Sequence, residues 1–307
     1  MLKYIFKRLV YLVLVLIGVS FIVFTLLQLT PGDPVRMMLG ESATPEAVAE
    51  LRESLGLDDP FLVQYFRYLT GIFFRADLGT SYNTGEPVLD QIMIMFPNTL
   101  KLALLATLLA TVLGTFLGIV SAVNQYSIID NIVMVFALVG TSAPIFWIGI
   151  MMILLFSVKL GWLPPSGFDT FQQMIMPAVA LGMQSTAVVA RMTRSSMLEV
   201  IRQDYVNTAR AKGQKELVII FKHVYRNALI PIITVIGLQF GHLLGGAMLT
   251  EIVFSIPGVG RLMVDAIKQR DFPIVQGSVL FVAACFSVVN LLVDILYVAV
   301  DPKVSKS

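Results

Sequence analysis

Six apolar stretches, each long enough to cross a lipid bilayer as a helix, constrain the fold of this chain more than any other feature of its sequence. They cover residues 9–29, 99–123, 132–158, 174–189, 228–250 and 274–300. A membrane-crossing helix needs about 20 predominantly apolar residues. The fourth stretch is the weakest, because Gln184, Ser185 and Thr186 interrupt it. The pattern predicts an all-α, polytopic membrane protein with six transmembrane helices.

The composition agrees with a membrane protein and excludes several other classes. Of the 307 residues, 57% are hydrophobic and 14% are charged, whereas soluble domains carry about 25% charged residues. A net charge of +2 without a dense basic run indicates no nucleic-acid partner. Cys285 is the only cysteine, so neither an internal disulfide nor a thiolate metal site is expected. The first stretch is too long for the core of a signal peptide, so we interpret it as a retained span.

The distribution of lysine and arginine predicts the orientation in the membrane. Basic residues precede the first span, at Lys3, Lys7 and Arg8. A cytoplasmic N-terminus follows, and six spans then place the basic loop 191–227 and the C-terminal tail 301–307 in the cytoplasm. The long, mostly acidic loop 30–98 falls outside. Only Lys101, at the outer end of the second span, fits less well, since its side chain must extend to the interface.

The outer loop carries helix signals of its own. An N-cap threonine, a following proline and a glycine stop predict a short helix over residues 45–55. An Asp-Pro pair repeats the start signal for a second helix, from residue 59 to about residue 71. Aromatic residues suited to the headgroup level follow at Tyr65, Phe66, Tyr68, Phe73 and Phe74. We interpret this region as a structured cap on the membrane rather than as a ligand site.

The loop 191–227 is far longer than a connection between two spans requires. Ser196 and Glu199 form a candidate capping box, and apolar residues then recur at helical spacing. Gly213 is placed to end this helix, predicted over residues 196–212, in a left-handed conformation. A second amphipathic segment leads back into the membrane. An interfacial hairpin held by lipid headgroups and a docking site for another protein both remain open on spacing and charge alone.

At residues 205–213, which read YVNTARAKG, with His223 ten residues beyond the glycine, the sequence resembles the EAA loop of ABC importer permeases. The resemblance is closest to the dipeptide, oligopeptide and nickel group. It extends over almost the whole chain, through the segments PGDP, LGLDDPFLVQYFRYL, RADLGTS, LGWLPPSG and EIVFSIPGVGRLMVDAIKQRDFPIVQG in this order. It implies a type I ABC importer permease (MetI-like) fold with a cytoplasmic coupling helix, in a bacterial plasma (inner) membrane.

In that family the loop docks on an ATP-binding subunit. The resemblance therefore implies ATPase-coupling roles for Asp204, Tyr205, Asn207, Thr208, Ala209, Arg210, Ala211, Lys212, Gly213 and His223. Ala209 and Gly213 match the motif directly. Asn207 stands where the motif has glutamate and Thr208 where it has its first alanine, so an ion pair from that glutamate is not expected here. Asn207 can still donate or accept a hydrogen bond.

The chain is expected to need an external source of energy. It contains no G-x-x-x-x-G-K-[ST] motif, so ATP and Mg²⁺ are expected on partner subunits, with no cofactor, metal or catalytic residue on this chain. The resemblance implies a homologous second permease (a heterodimer), two ATP-binding subunits, an extracytoplasmic substrate-binding protein and surrounding membrane lipid. The expected organisation is a first helix with its outer loop (1–94), a five-helix permease core (95–300) and a short cytoplasmic tail (301–307).

Within the spans, small and polar residues recur at helical spacing. Glycines repeat every fourth residue at Gly114 and Gly118, and again at Gly237, Gly241 and Gly245. This spacing lets helix backbones approach closely, and packing within the chain is favoured over a sliding contact or a seam with the partner permease. Gln239 and His242 share a face of the fifth span, where polar groups are costly. They are candidates for lining a translocation pathway, with an interhelical hydrogen bond as the equal alternative.

The expected function is that of a permease subunit in an ATP-driven importer for di- or oligopeptides, or for a related solute such as a nickel complex or glutathione. A self-sufficient carrier or channel driven by an ion gradient is the alternative. It predicts buried acids near the bilayer midplane and often inverted repeats, and neither is evident. An intramembrane hydrolase would use Ser142 with His242, but the spacing of two such common residues carries little meaning.

Overall fold

The computed structural model describes residues 2–30, 33–40 and 43–300, and every regular element in them is helical. The predicted tail 301–307 and the first two residues of the PGDP segment, Pro31 and Gly32, lie outside these residues. In chain order the α-helices are α1 (Leu2–Gln28), α2 (Pro34–Leu39), α3 (Pro45–Ser54), α4 (Phe61–Arg75), α5 (Val88–Val123), α6 (Ile128–Ser142), α7 (Ile145–Met152), α8 (Phe171–Ile201), α9 (Asp204–Ala211), α10 (Glu216–Val218), α11 (Arg226–Gly246), α12 (Met248–Val253), α13 (Val259–Gln269) and α14 (Phe272–Val300). Two π-helical segments, Ile153–Lys159 and Ile219–Tyr225, follow α7 and α10.

Five of the six predicted spans are confirmed as continuous apolar helices, and the remaining one corresponds to a pair of helices with a sharp bend between them. Five continuous helical stretches are long and apolar enough to cross a membrane: Phe6–Gln28, Val88–Val123, Phe171–Ile201, Glu216–Gly246 and Phe272–Ile295. The sixth is the pair Ile128–Ser142 and Ile145–Lys159, which is bent by 103°. The prediction of one continuous helix over 132–158 is wrong because of Pro144. Proline disfavours helical backbone at the residue before it, and Ala143 is extended, with φ −77° and ψ 133°.

The predicted start of a helix at Ser196 is also wrong. Helix α8 begins much earlier, at a capping box between Thr170 and Gln173, and continues to Ile201 without a break. Ser196 therefore lies inside α8, where it is buried and its Oγ contacts Met192 Sδ at 3.5 Å. No glycine or proline separates the apolar part of α8 from its polar extension, so the helix continues into the polar loop. The break comes at Gln203, which is extended and precedes α9.

By contact, the described chain divides into two compact units, and the first comprises residues 1–99 and 257–287. The two helices predicted in its outer loop are confirmed as α3, whose N-cap Thr44 accepts from the Ala47 N–H at 3.3 Å, and as α4, which continues to Arg75. The aromatic prediction holds only in part. Phe66 and Phe74 are exposed, but Tyr65 is buried, and its hydroxyl lies 3.0 Å from Ser20 Oγ of α1.

A buried carboxylate connects three segments of this first unit. Asp271 is buried between α13 and α14. It accepts hydrogen bonds from the hydroxyl of Ser81, at 2.5 Å, and from the backbone N–H groups of Tyr82 and Asn83, at 3.2 and 3.3 Å. Burial, followed by the negative charge of Asp271, raises the pKa of Tyr82 to about 12. The loop before α5 is thereby fixed on the turn that precedes α14, and the Tyr82 hydroxyl stays protonated at neutral pH.

The second unit comprises residues 100–256 and 288–307, and glycines allow its helices to pack closely. A Cβ atom added at Gly118 of α5 would lie 2.6 Å from the Ala190 carbonyl oxygen of α8, and one at Gly114 would lie 2.8 Å from that of Thr186. A Cβ at Gly237 of α11 would lie 2.2 Å from Val293 Cγ2 of α14. Gly241 is buried, whereas Gly245 is exposed.

Replacing Gly118 with alanine is expected to destabilise the protein, because the added methyl group meets a backbone oxygen that cannot move independently. Overpacking of this kind costs about 1–3 kcal/mol. Thermal unfolding of the detergent-purified protein measures the effect. Gly140→Ala is the matched control, since its Cβ would come no closer than 3.4 Å to a neighbouring atom. A melting temperature for Gly118→Ala at or above that of Gly140→Ala would contradict the close approach of α5 and α8.

Candidate functional site

The short helix α9 lies at the centre of the loop that the sequence analysis singled out. Gln203 adopts an extended conformation before it, and Asp204 places a negative charge in its first turn, where the helix dipole favours one. Gly213 terminates the helical region with φ +73°. Its N–H donates to the Arg210 carbonyl at 2.9 Å, and the next N–H, of Gln214, donates to Ala209 at 3.4 Å. Glycine adopts this left-handed conformation without the steric cost of a side chain.

One face of α9 is held against the body of the second unit. Val206 is fully buried and Ala209 is 7% exposed. They belong to an apolar cluster formed by Ala122, Met197, Val206, Ala209, Ile219, Ile220, Val224, Ala228 and Ile232. A helix of eight residues is not stable alone in water, so this cluster fixes the position of α9. It joins α9 to the end of α5, the extension of α8 and the π-helical segment Ile219–Tyr225.

The opposite face of α9 and its C-terminal turn form an exposed surface, which we call the α9 surface. It consists of Asp204, Tyr205, Asn207, Thr208, Arg210, Ala211, Lys212 and Gly213. The structure thus brings eight of the ten predicted coupling residues onto one surface. Ala209 lies beneath this surface, and His223 is half-buried with its Nε2 2.9 Å from Gln214 Oε1. The predicted residues therefore divide into an exposed set and a supporting set.

Side-chain bonds close the turn around Gly213. Arg210 binds Glu216 through two contacts, Nη2 to Oε1 at 2.8 Å and Nε to Oε2 at 3.3 Å. The hydrogen bond that Arg210 donates to this carboxylate raises the pKa of Arg210. Glu216 was missed in the sequence analysis, because the turn at the glycine brings together two residues six positions apart, a spacing that no regular helix brings together. Exposed ion pairs contribute little stability, so the effect of this pair is to orient the turn.

The return segment is continuous with the fifth span. Residues 216–246 form one unbroken helical stretch, which contains the π-helical segment Ile219–Tyr225. π-Helical turns are rare and often occur at functional sites. No break separates Glu216 from Pro231, so the segment that follows the turn after α9 is continuous with the membrane-crossing part of α11. The sequence analysis predicted a helix here but not its π-helical hydrogen bonding.

An ion pair between Asp130 and Arg194, which the sequence did not reveal, holds the extension of α8 that leads to α9. Asp130, in the first turn of α6, is 2% exposed. The Arg194 guanidinium of α8 donates to both of its carboxylate oxygens, at 2.7 and 2.8 Å. The carboxylate also accepts from the Ser121 hydroxyl and from the Tyr126 N–H. Since an aspartate 64 residues away offers no sequence signal, only the fold reveals that the α8 extension is fastened to α5 and α6.

The predicted pathway residues occupy different environments. Gln239 Nε2 donates to Ser185 Oγ of α8 at 3.0 Å, so Gln239 makes the interhelical hydrogen bond that was the alternative interpretation. His242, one turn further along α11, is exposed. Ser142 Oγ donates to the Leu138 carbonyl of its own helix at 2.8 Å rather than to a base. Among the described residues, no group of three or more His, Cys, Asp and Glu side chains is placed to hold a metal ion.

Comparison with known proteins gives matches along the whole chain. Residues 114–306 match the family model described as "Binding-protein-dependent transport system inner membrane component", and residues 1–103 match the model of its N-terminal part. A dipeptide transport system permease protein of Alkalihalophilus pseudofirmus and a di/tripeptide transport system permease protein of Pseudomonas aeruginosa are both 44% identical to the chain. A glutathione transport system permease protein of Salmonella paratyphi A is 43% identical. Each match covers 99% of both proteins.

Solved structures resemble the fold at lower sequence identity. The inward-facing MetNI methionine ABC transporter superposes with a TM-score of 0.57 at 18% identity, over 69% of this chain and 97% of that one. An amino acid ABC transporter superposes with a TM-score of 0.53 at 16% identity, over 70% of this chain and 94% of that one. These two likenesses concern the fold alone. They confirm the predicted permease fold.

Proposed function

The chain belongs to the family of binding-protein-dependent transport system inner membrane components, and we propose that it forms half of the pathway through which an ATP-driven importer takes up peptides. As a member of this family it is a multi-pass permease subunit of an ABC importer. The observation that carries the proposal is the α9 surface, which is exposed while the buried side of α9 is fixed to the chain's own helices. A rigid, exposed helix at the end of two spans suits a protein that transmits movement.

In this proposal the α9 surface docks on an ATP-binding subunit. Asp204, Tyr205, Asn207 and Thr208 offer a carboxylate, an aromatic ring, an amide and a hydroxyl, and Arg210 and Lys212 offer positive charge at the other end. Asn207 replaces the family's glutamate, so its contact with the partner is a neutral hydrogen bond. Ala209 and His223 position the surface without touching the partner. ATP and Mg²⁺ bind to the two partner ATPase subunits.

The remaining partners and the orientation follow from the same proposal. The N- and C-termini lie in the cytoplasm together with α9, in agreement with the basic residues around them. A homologous second permease completes the pathway, and an extracytoplasmic binding protein delivers the substrate to the outer loops. A permease of this kind breaks no bond itself. The names of the relatives support a di- or tripeptide, or a peptide-like compound such as glutathione, as the substrate.

Reconstitution of the complete importer in lipid vesicles tests this proposal. Uptake of a radiolabelled dipeptide is expected only when this chain, the second permease, both ATPase subunits, the binding protein, and ATP with Mg²⁺ are all present. The vesicles need the binding protein on the outside and ATP on the inside. Omission of any one component, or replacement of ATP by a non-hydrolysable analogue, is expected to reduce uptake to background.

The alternative of a self-sufficient carrier is decided by the same vesicles. A carrier driven by an ion gradient would accumulate the dipeptide with this chain alone, without ATP, when a proton or sodium gradient is imposed. Such accumulation would overturn the proposed function. If the complete importer takes up nickel complexes and no peptides, the ATP-driven mechanism stands and the proposed substrate is wrong.

A further inference from the structure

The exposed residues of α8 form a single stripe. Among the membrane-crossing helices of the described chain, α8 is the most enclosed, with 61% of its most apolar window buried. Its exposed positions between residues 180 and 200 are Gln184, Arg191, Ser195 and Glu199, with Val188 half-buried among them. The intervals of four, three, four and four residues place these positions on one face of the helix. We call this face the α8 stripe.

The α8 stripe has the wrong chemistry for a surface in contact with lipid. Between residues 104 and 116, the exposed positions of the neighbouring helix α5 are apolar: Leu104, Leu108, Val112, Leu113 and Phe116. By contrast, four of the five residues in the α8 stripe are polar or charged. Polar side chains in membrane spans almost always face the interior of a bundle or a water-filled cavity, because exposing them to hydrocarbon is costly. The stripe therefore borders water or a polar solute.

Two arginines on α8 differ in whether the chain itself supplies a partner for them. Arg194 is held by both carboxylate oxygens of Asp130. Arg191, one turn earlier, is exposed and makes no hydrogen bond or ion pair with any other described residue. Arg191 lies where α8 leaves its apolar part, and an exposed cation there with no partner among the described residues of its own chain is free to bind an anion from outside the chain. Its guanidinium favours a planar, two-oxygen anion such as a carboxylate.

The stripe ends in a cavity beside α9. A space of about 540 Å³ lies between the cytoplasmic parts of α8 and α11. Its lining includes Ser196, Glu199, Gln203, Tyr205, Asn227 and Pro231. Asn227 and Pro231 begin the exposed side of α11, which continues through Leu238 to His242. A polar surface on α8 and the exposed side of α11 thus meet at this cavity.

We propose that the α8 stripe forms the wall of the translocation passage in its cytoplasmic half, and that Arg191 binds the carboxylate of the peptide as it leaves. This inference rests on the proposed function, because it assigns the passing solute. Glu199 carries the opposite charge eight residues further on, about 12 Å along the helix axis. The stripe therefore offers one charge to each end of a zwitterionic peptide, and the cavity beside α9 is where the peptide enters the cytoplasm.

Cysteine accessibility in the assembled importer tests the position of the stripe. Cys285 is the only cysteine, so Cys285→Ala gives a cysteine-free background. Single cysteines at 184, 188, 191 and 195 are expected to react with a membrane-impermeant, charged thiol reagent added from the cytoplasmic side. Cysteines at the buried positions 187 and 190 of the same helix, and at the exposed apolar position 108 of α5, are the matched controls and are expected to stay unmodified.

Two results of the labelling would overturn the proposal. One is the absence of reaction at all four stripe positions in the assembled importer. The other is reaction that appears only when the second permease is left out, which would make the stripe a seam between subunits. If the wild-type importer takes up no peptide, the proposed function fails, whereas the labelling still decides whether the stripe borders water. The two failures are therefore distinguishable.

Peptide uptake tests the role of Arg191 itself. Arg191→Gln is expected to lower dipeptide uptake by about tenfold, the scale of one lost hydrogen bond between charged groups. Stimulation of ATP hydrolysis by the loaded binding protein is expected to persist, and Arg191→Lys is expected to restore part of the uptake. Lys222→Gln, which removes an exposed cation from the π-helical segment, is the control and should behave as wild type. Equal losses in Arg191→Gln and Arg191→Lys, or wild-type uptake in both, would overturn the assignment.

Discussion

Replacing Asp130 with alanine is expected to destabilise the permease strongly and to reduce both the yield of purified protein and transport. The substitution leaves the Arg194 guanidinium without its bidentate partner, and the Ser121 hydroxyl and Tyr126 N–H without their acceptor. Removing one member of a fully buried ion pair costs about 3–5 kcal/mol, and the cost here is expected toward the lower value because the Arg194 side chain is 23% exposed. Such a loss is still a large fraction of the roughly 5–15 kcal/mol that holds a typical protein folded. The amount of membrane-inserted protein and its melting temperature in detergent measure the effect.

An exposed ion pair in the same chain provides the control for Asp130. Arg261 and Asp265 are 3.7 Å apart, with their side chains 42% and 48% exposed. Asp265→Ala is expected to cost no more than about 1 kcal/mol, because water already screens this pair. If Asp130→Ala melts at the same temperature as Asp265→Ala, the buried pair does not hold α6 to α8 as described.

A double variant separates stability from the transmission of movement. Replacing Asp130 by leucine and Arg194 by methionine removes both charges and fills the space with apolar groups, a change that is often neutral for stability. We expect the double variant to melt close to the wild type. Its uptake, measured in the complete importer, then reports whether the bond between α8 and α6 is needed for transport. If the double variant is as unstable as Asp130→Ala, the loss of stability comes from poor packing at this site and not from an unpaired charge.

Local patterns in the sequence were sufficient for much of the fold. Apolar length located the five continuous spans and the bent pair, and the Thr44-Pro45 start and the glycine at 213 were read correctly because each acts through its own backbone conformation. The capping box at Ser196 failed for the opposite reason. A capping residue needs an extended backbone, and nothing in the local sequence shows that α8 is already helical there.

The parts of the site that the sequence did not reveal all depend on residues far apart in the chain. The Asp130–Arg194 pair joins positions 64 residues apart, and the Gln239–Ser185 bond joins positions 54 apart. The α8 stripe is a different case. The helical spacing of its residues, at intervals of three and four, is visible in the sequence. There, however, Gln184 appears only as an interruption of an apolar stretch. Only the burial of the rest of α8 shows that this face is the open one.

Replacing Ala209 with phenylalanine is expected to abolish peptide uptake while leaving the chain inserted in the membrane. Ala209 is 7% exposed and faces the apolar cluster that fixes α9. No side chain of that size fits there, so α9 must move outward and the α9 surface with it. The cluster touches only the ends of three spans, near Ala122, Met197 and Ala228, so the spans are expected to insert normally. Uptake in the complete importer, together with co-purification of the ATPase subunits, measures the loss.

A control for size and a second variant with a different mechanism make this result specific. Ala49→Phe introduces the same ring at an exposed position of α3 and is expected to leave uptake unchanged. Gly213 has no atom within 4 Å of an added Cβ, so its variants act on the backbone alone. Gly213→Asn is expected to be mild, because asparagine tolerates left-handed backbone, and Gly213→Val severe. Wild-type uptake in both Ala209→Phe and Gly213→Val would show that neither the seating of α9 nor its turn matters for coupling.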